Sequence, residues 1–296
     1  MRILSLLPSA TEIVYALGLQ DELVGVTHEC DWPQDATAKR AVTASALPAG
    51  AAPAEVDRMV SESLTGGASI YRLDDDAVRE LRPELILSQD LCAVCAVPSG
   101  HVDRALDALG CSARVLSLDP TSLDDVLDCV LQVGEVTGTT DRARAVVDGL
   151  RRRLSEVEKA VAGKPRPRTF ALEWSDPPFN GGHWVPEMIV RAGGEPVLGS
   201  HGTPSIRIEW ERIAAAAPEV VIFMPCGYGL EEACREARDI VCRPELVEAK
   251  RIFAVDASSF FSRPGPRLVD GVELLASALH PGEVMPRVPG GITQVR

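Results

Sequence analysis

The clearest hydrophobic pattern in the chain lies in residues 140–162, where apolar side chains recur at alternating spacings of four and three. This spacing places them on one face of a helix. The apolar positions are Ala143, Val147, Leu150, Leu154, Val157 and Val161. Most other positions are charged, and the prolines at 165 and 167 end the pattern, because proline cannot continue a helix. At about 1.5 Å per residue, the segment predicts a helix of about 34 Å.

On both sides of this predicted helix, short apolar runs alternate with amphipathic segments. The apolar runs predict strands at residues 3–7, 23–27, 85–88 and 114–118 before the helix, and at 169–174, 195–198, 220–224 and 252–256 after it. The amphipathic segments predict helices at 9–17, 55–64, 74–81, 99–109, 122–136, 185–192, 209–216, 230–241 and 266–279, with Ser9 as the N-cap of the first. Alternating strands and helices are typical of a parallel sheet with helices on both faces.

The sequence therefore predicts an α/β fold with two lobes, each a mostly parallel sheet flanked by helices, joined by a single long helix. We place the N-terminal lobe at residues 1–119, the helical linker at 120–166 and the C-terminal lobe at 167–296. A weak repeat supports two lobes of similar plan, since residues 83–87 and 218–222 each consist of Pro-Glu followed by three aliphatic residues. The alternative is one large domain in which 140–162 is an ordinary covering helix.

Composition disfavours several classes of protein. The 296 residues include 30 Lys and Arg against 43 Asp and Glu, a formal net charge of −13, which disfavours nucleic acid as a partner. No apolar stretch of the sequence reaches the roughly 18 to 20 residues of a membrane span. The chain starts on a strand pattern instead of a secretory leader, so we expect a cytoplasmic protein, or a periplasmic or extracellular one if the start codon is misassigned or a leader has been removed. The eight cysteines are then expected to be mostly reduced.

In an open parallel sheet, a ligand is expected at the carboxyl ends of the strands. Aromatic residues make up only 4% of the chain, yet three of the four tryptophans follow predicted strands or end them. Aromatic side chains in loops with proline and glycine form stiff, flat walls that suit a large planar ligand. The residues that we expect to bind ligand are His28, Cys30, Trp32, Tyr71, Asp90, Cys92, Cys95, Trp174, Phe179, His183, Trp184, Cys226, Phe260, Phe261 and Arg263. The alternative is that the aromatic side chains cap the sheets as core residues.

Some of these residues also suit a metal. Cys92 and Cys95 have the spacing of a metal-binding or redox pair, although the sequence has no second pair of this kind, and reduced thiols lining a cleft are the alternative. His28 and His183 could ligate a metal centre through neutral imidazole, or each could bond to its own loop. Arg263 could pair with a ligand carboxylate or phosphate, or with an acidic neighbour.

Catalytic motifs are absent from the sequence. It has no G-x-S-x-G elbow, no P-loop and no G-x-G-x-x-G. An acid–base pair of Asp90 and Asp176 is a minor alternative. We therefore predict a binding protein with no catalytic residues and no catalytic cofactor.

Eight short motifs at these same places are specific when taken together. They are Leu-Pro-Ser-Ala-Thr-Glu at 7–12, Gly-Val-Thr-His-Glu-Cys-Asp at 25–31, Ser-Ile-Tyr at 69–71, Gln-Asp-Leu-Cys-Ala-Val-Cys at 89–95, Glu-Trp at 173–174, Asp-Pro-Pro-Phe at 176–179, Gly-His-Trp-Val-Pro-Glu at 182–187 and Phe-Ser-Arg-Pro-Gly-Pro-Arg at 261–267. In these motifs the chain resembles the cobalamin-binding branch of the helical-backbone (class III) periplasmic substrate-binding protein family. The resemblance covers essentially the whole chain. Transport members of the family are exported or lipid-anchored, so the chain resembles a leaderless member.

The resemblance implies two α/β lobes joined by one long helix, with a ligand cleft between them. It implies a corrinoid similar to cobalamin as ligand, or a related large metal-containing molecule such as haem or an iron–siderophore. One wall of the cleft would carry Trp32, Tyr71, Cys92 and Cys95, and the other would carry Trp174, Phe179, Trp184, Phe260, Phe261 and Arg263. The implied protein partner is an ABC transporter permease, although a cytoplasmic corrinoid handler or sensor would suit a leaderless chain better.

We therefore expect non-enzymatic binding of a corrinoid or a related large metal-containing ligand, for uptake, handling or sensing. The alternative is a metal-binding protein or metalloenzyme that uses the loop of Cys92 and Cys95. A partner-binding module with a vestigial cleft is the third hypothesis.

Overall fold

Short apolar runs form the strands of two main sheets in the computed structural model, which describes residues 1–48, 52–65, 70–89 and 113–296. The chain divides into two compact units. The first comprises Met1–Pro120 and Leu127–Val147, and the second comprises Thr121–Val126 and Asp148–Arg296. The helix predicted at 99–109 lies outside the described residues, as do Asp90, Cys92 and Cys95.

The first unit has a sheet of five strands, each parallel to its neighbours, as the sequence predicts. In spatial order the strands are β3 (Arg40–Ala41), β2 (Leu23–Val26), β1 (Ile3–Ser5), β6 (Leu85–Ser88) and β7 (Arg114–Ser117). Strands β1 and β6 are buried along their whole length, as expected for a parallel sheet covered on both faces. A separate antiparallel hairpin pairs β4 (Thr43–Ser45) with β5 (Tyr71–Leu73).

The helices of the first unit include α1 (Pro8–Ala16), α2 (Pro53–Thr65) and α3 (Asp75–Leu81). The prediction that Ser9 caps α1 is wrong, because the helix begins one residue earlier at Pro8, and Leu7 is the N-cap without a side-chain bond. Proline suits the first helical position, where its missing N–H has no partner to lose. Helix α3 does have a side-chain cap, since Asp74 accepts a hydrogen bond from Ala77 N at 2.9 Å.

Two consecutive helices, α4 (Leu123–Thr137) and α5 (Thr140–Val161), contain the boundary between the units. Helix α5 is the one that the hydrophobic pattern predicts over 140–162, and its six predicted apolar residues are buried, with none more than 7% exposed. Of these six, Ala143 and Val147 belong to the first unit and the others to the second. The first turn of α4 also belongs to the second unit, so residues 120–166, which the sequence marks as a linker, are divided between the units.

The second unit has a sheet in which the inner strands are parallel and both antiparallel strands are short. In spatial order the strands are β10 (Glu195–Pro196), β8 (Arg168–Ser175), β11 (Val220–Phe223), β12 (Arg251–Val255) and β13 (Ile292–Gln294), and β9 (Pro178–Asn180) pairs with β8. Strands β9 and β13 are antiparallel to their neighbours. The helices are α6 (Val185–Arg191), α7 (Trp210–Ala216), α8 (Leu230–Val241), α9 (Ala257–Phe260) and α10 (Leu268–Leu279). The carboxyl ends of β8, β11 and β12 therefore meet at one edge of this sheet.

Candidate functional site

In the first unit, the loop after β2 places the His28 imidazole against a threonine hydroxyl. His28 Nδ1 lies 2.7 Å from Thr43 Oγ1, and the His28 backbone N–H donates to the same oxygen at 3.1 Å. Thr43 in turn donates to Thr27 Oγ1 at 2.9 Å. His28 therefore bonds to a hydroxyl of the neighbouring hairpin, which fixes the ring while its side chain stays exposed.

The β4–β5 hairpin brings Tyr71 to this loop. Tyr71 pairs with Ser45 across the hairpin, and its ring lies 5.8 Å from the His28 ring at an angle of 57°. The Tyr71 hydroxyl donates to Glu29 Oε1 at 3.1 Å. An imidazole, a phenol and a carboxylate thus meet at the carboxyl end of β2, and two of the three were predicted from the sequence as binding residues.

Cys30 and Trp32 follow in the same loop but have opposite environments. Cys30 is 5% exposed, and its Sγ lies 3.1 Å from Thr11 Oγ1 on α1. Trp32 is 49% exposed. About half of the Trp32 surface is therefore exposed to solvent, whereas the Cys30 thiol is covered by the protein.

In the second unit, Trp174 lies near the end of β8 and contacts a tyrosine that the sequence analysis did not select. The Trp174 and Tyr228 rings meet edge to face, with centroids 5.8 Å apart. Trp174 Nε1 is buried and has no hydrogen-bond partner among the described residues. Phe179, opposite Trp174 in the β8–β9 pair, is half-buried beneath the Arg207 guanidinium, 5.8 Å from its ring centroid. This strand end therefore offers partly exposed aromatic rings and a buried indole N–H.

His183 occupies a left-handed backbone conformation just before α6, with φ of 51°. Its N–H donates to Thr203 O at 2.6 Å, and its carbonyl accepts from Gly202 N at 3.0 Å. Its ring stacks on Trp184 at 5.5 Å and 29°. Burial lowers the pKa of His183, so the imidazole is neutral at pH 7, as metal ligation or hydrogen-bond acceptance requires.

Three of the aromatic residues predicted as a ligand wall lie in the core of this unit. Trp184 is 6% exposed, Phe260 is 7% exposed and Phe261 is 1% exposed. Trp184 Nε1 donates to Phe261 O at 2.8 Å, which joins the loop before α6 to the end of α9. These side chains support the loops that carry other candidates, and little of their own surface is available to a ligand.

Cys226 and Arg263 are half-buried in the segments that follow the neighbouring strands β11 and β12. The Cys226 N–H donates to Glu173 O at 3.3 Å, which ties the loop after β11 to β8. Arg263 follows the short helix α9, which begins directly after β12. Both residues thus lie on loops at the carboxyl edge of the second sheet, where the sequence predicts them.

The structure adds residues that sequence reasoning missed, namely Glu29, Glu173 and Tyr228. Glu173 is half-buried, and burial raises the pKa of its carboxyl group above the usual range for glutamate. The signal for Glu29 and Glu173 was present, because each adjoins a selected residue at a strand end.

Other features of the described residues bear on the cysteine hypothesis and on membranes. Cys30, Cys129, Cys226, Cys234 and Cys242 form no disulfide. Across the described ranges, no group of three or more His, Cys, Asp or Glu residues has the arrangement of a metal site. The proposed metal pair, Cys92 and Cys95, lies outside these ranges and stays a prediction. No helix within the described ranges has the length and apolar character to cross a bilayer.

Known proteins resemble this chain over nearly its whole length. A family model described as periplasmic binding protein matches residues 3–257. The vitamin B12-binding protein of Vibrio cholerae is 24% identical over 285 residues, which cover 94% of this chain and 88% of that protein. A second relative is YvrC of Bacillus subtilis, described as an uncharacterized ABC transporter substrate-binding lipoprotein. It is 25% identical over 287 residues, which cover 95% of this chain and 80% of that protein.

Among solved structures, a periplasmic haem-binding protein from Pseudomonas aeruginosa has a TM-score of 0.73 with this chain at 21% identity. The match covers 99% of this chain and 97% of that one. At this identity the match shows that the two proteins share a fold.

Proposed function

Because the chain belongs to the periplasmic binding protein family, we propose that it binds a corrinoid or a related large metal-containing ring and releases it unchanged. It is a binding protein and not an enzyme, as the sequence predicts. One observation carries the proposal: in each unit an imidazole and an aromatic ring lie together at the carboxyl end of a strand or in the loop that follows it. These pairs are His28 with Tyr71, and His183 with Trp184, whose covered indole supports the half-buried imidazole.

The relatives support a large metal-bearing ring as the ligand. One curated relative is named for vitamin B12 and one solved structure for haem. Both ligands present a flat face to aromatic side chains and a central metal to imidazole. Haem also carries two carboxylates, and the carboxylate of Glu29 beside Tyr71 disfavours an anionic ligand. We therefore place a corrinoid first and haem second.

Absorption spectroscopy and isothermal titration with cobalamin, cobinamide and haem test the proposal. We expect heat of binding and a shift of the visible spectrum with a corrinoid. Absence of both signals with all three ligands would contradict the proposal. The colour and spectrum of the natively purified protein give an independent reading, because a retained ligand would absorb in the visible range.

A matched pair of tryptophan variants tests the place of binding. Trp174→Phe removes the unpartnered indole N–H and part of the ring, so we expect affinity to fall by roughly three- to tenfold. Trp210→Phe is the control, because Trp210 is half-buried against the core, away from the end of β8, with the Arg243 guanidinium 3.8 Å from its ring centroid. Equal loss of affinity in both variants would count against a site at the end of β8.

The relative described as an ABC transporter lipoprotein supports delivery of the ligand to a transporter permease. The alternative role, a cytoplasmic handler or sensor, requires a different location. Fractionation of cells that express the natural gene separates the two. Recovery with the periplasmic or surface fraction supports delivery, and recovery with the cytosol supports handling or sensing.

A further inference from the structure

Residues 199–207, called the strap below, run alongside residues 178–183, which carry two of the candidate binding side chains. The N–H of Asn180 donates to Ile206 O at 3.1 Å, and the Asn180 Oδ1 accepts from Ile206 N at 2.7 Å. The backbone of His183 is bonded to the strap on both sides, as described above. The strap therefore forms an additional ribbon beside the β8–β9 hairpin.

The strap and this segment touch backbone to backbone at Gly182. A Cβ atom at Gly182 would lie 2.2 Å from Ser205 N and 2.6 Å from the carbonyl carbon of Pro204. Both distances are far below van der Waals contact, so only glycine fits here. Ser205 is consequently held directly against the residue that precedes His183.

One carboxyl group bonds to both sides of this contact. The Oε2 atom of Glu173 accepts from the Ser205 hydroxyl, and it accepts from the Gly182 N–H at 3.4 Å. Burial raises the pKa of this carboxyl group, while the two hydrogen bonds act to lower it. Glu173 lies next to Trp174 on β8. The end of β8 therefore carries both a candidate ligand-binding side chain, Trp174, and the carboxyl group that joins the strap to residues 178–183.

We infer that Glu173 is a positioning residue for ligand binding, which holds the strap against residues 178–183 and thereby fixes His183 for contact with the ligand. The inference rests on the proposed function, because it concerns the same surface. A residue other than glycine keeps a left-handed backbone only where its surroundings enforce it, and the strap provides both backbone bonds of His183. Without the Glu173 acceptor, the strap loses the side-chain attachment at Ser205, the residue that lies against Gly182, while the Asn180 Oδ1 bond to Ile206 N remains.

Three variants separate the parts of this arrangement. Glu173→Ala removes the acceptor, Glu173→Gln keeps an acceptor oxygen, and Ser205→Ala removes one donor. Hydrogen exchange of the strap amides is measured without ligand, and the Kd is measured with cobalamin, cobinamide and haem. For Glu173→Ala we expect strap exchange to become about tenfold faster and the Kd to rise about tenfold, with partial rescue by Glu173→Gln.

Ile240→Val is the matched control for global stability. Ile240 lies on α8, is 3% exposed and belongs to the core of the same unit. This variant lowers the stability of the unit by loss of one buried methyl group, without touching the strap. Strap exchange and Kd at wild-type values in this control exclude a general loosening of the unit as the cause.

The outcomes distinguish this inference from the proposed function. Strap exchange or Kd unchanged in Glu173→Ala overturns the inference, and if that variant does not fold, Ser205→Ala gives the same decision, because it removes the hydroxyl that donates to Glu173. If the wild-type protein binds none of the three ligands, the proposed function fails. Strap exchange in the variants then still decides whether Glu173 holds the strap.

Discussion

At the scale of single residues, burial controls the charge of the candidate binding groups. It lowers the pKa of His183 and raises the pKa of Glu173, so both side chains are shifted toward their neutral forms. Neutral imidazole can accept a hydrogen bond or ligate a metal, which protonated imidazole cannot. These shifts favour an uncharged ligand surface at the carboxyl edge of the second sheet.

Because the pKa of His183 is lowered in the folded protein, we expect the free energy of unfolding to depend on pH. As pH falls through about 6.5, the unfolded chain gains a proton at this histidine while the folded protein does not. The contribution of His183 to the free energy of unfolding should therefore decrease with falling pH, and level off once the pH is below the folded pKa. NMR titration of the ring protons should give a midpoint below 6.5, the ordinary value.

The matched variant is His183→Asn, because asparagine tolerates a left-handed backbone. Urea unfolding of both proteins between pH 7.5 and about 5 isolates the contribution, since the other titrating groups are shared. We expect the variant to gain stability relative to the wild type as the pH is lowered. A midpoint at or above the ordinary value for histidine would contradict the burial of this ring.

The sequence predicts where the candidate site lies in the fold, but it does not predict which of the side chains there are exposed. Sequence reasoning placed candidates at the strand ends because ligands bind there in parallel sheets. It could not tell that Trp184 and Phe261 are covered while Trp32 is exposed, because cores and ligand walls use the same aromatic residues. It also missed Glu173, whose bonding partner Ser205 is 32 residues away in the sequence.

At the scale of elements, the packing of α4 on α5 depends on a missing side chain. A Cβ atom at Gly134 of α4 would lie 2.4 Å from the Cβ of Ala143 on α5, and Ala143 is fully buried. By contrast, the nearest atom to a Cβ at Gly149 of α5 is the Arg152 guanidinium, 3.8 Å away. Two glycines within neighbouring helices thus have opposite surroundings.

These glycines give a pair of opposite predictions. Gly134→Ala should lower the free energy of unfolding by about 1–3 kcal/mol, because the helices must separate to admit the methyl group. Gly149→Ala should raise it by about 0.5–1 kcal/mol, because alanine is the better helix former. Chemical denaturation of both variants checks the signs. A stabilised Gly134→Ala would contradict the close contact.

Helix α5 also carries a buried ionic contact with α10. Arg153 contacts both Asp270 and Glu273, and all three side chains are at most 17% exposed. Burial acts to raise the pKa of Glu273, but hydrogen bonds from Arg153 and Arg287 outweigh it and hold that pKa below the usual range. The stability gained from Glu273 is present above about pH 4.5, its ordinary pKa, and is lost as pH falls through the lower folded pKa.

We expect Arg153→Met to cost about 3–5 kcal/mol at pH 7, because the buried carboxylate of Asp270 loses its contact with Arg153 and that of Glu273 keeps only Arg287. The cost should shrink at acid pH, where the carboxylates of the variant become protonated. Urea unfolding at several pH values measures it. Arg152→Met, at an exposed position on the same helix, is the control and should change stability by less than about 0.5 kcal/mol. Equal effects in the two variants would contradict a structural role for the ionic contact.

The hydrophobic pattern of the sequence predicts most of the helices and strands, and the short strands β9 and β13 are exceptions. The buried strands β1, β6, β11 and β12 are apolar runs, so the sequence predicted them within one or two residues. Strands β9 and β13 have three residues each, and each pairs with a longer neighbouring strand, β8 and β12 respectively. Such pairing leaves little local pattern for sequence reasoning to detect.

At the scale of the whole molecule, ligand binding should be visible as stabilisation. A ligand that binds only the folded protein adds about 2.7 kcal/mol to the free energy of unfolding at one hundred times its Kd. We expect cobalamin or cobinamide to raise the Tm in a concentration-dependent way, measured by calorimetry. An unchanged Tm at saturating concentrations of cobalamin, cobinamide and haem would contradict the proposed function.

Neither unit is a continuous stretch of the gene. The first unit includes residues 127–147, which come after residues 121–126 of the second unit. Residues 121–126 are attached to the second unit by Glu187, whose side chain accepts a hydrogen bond from the Leu123 N–H at 2.9 Å. A premature stop at codon 120 or an internal start at codon 148 would therefore encode an incomplete unit. Recombination at any one codon cannot transfer either unit alone. The two units are consequently expected to be inherited together.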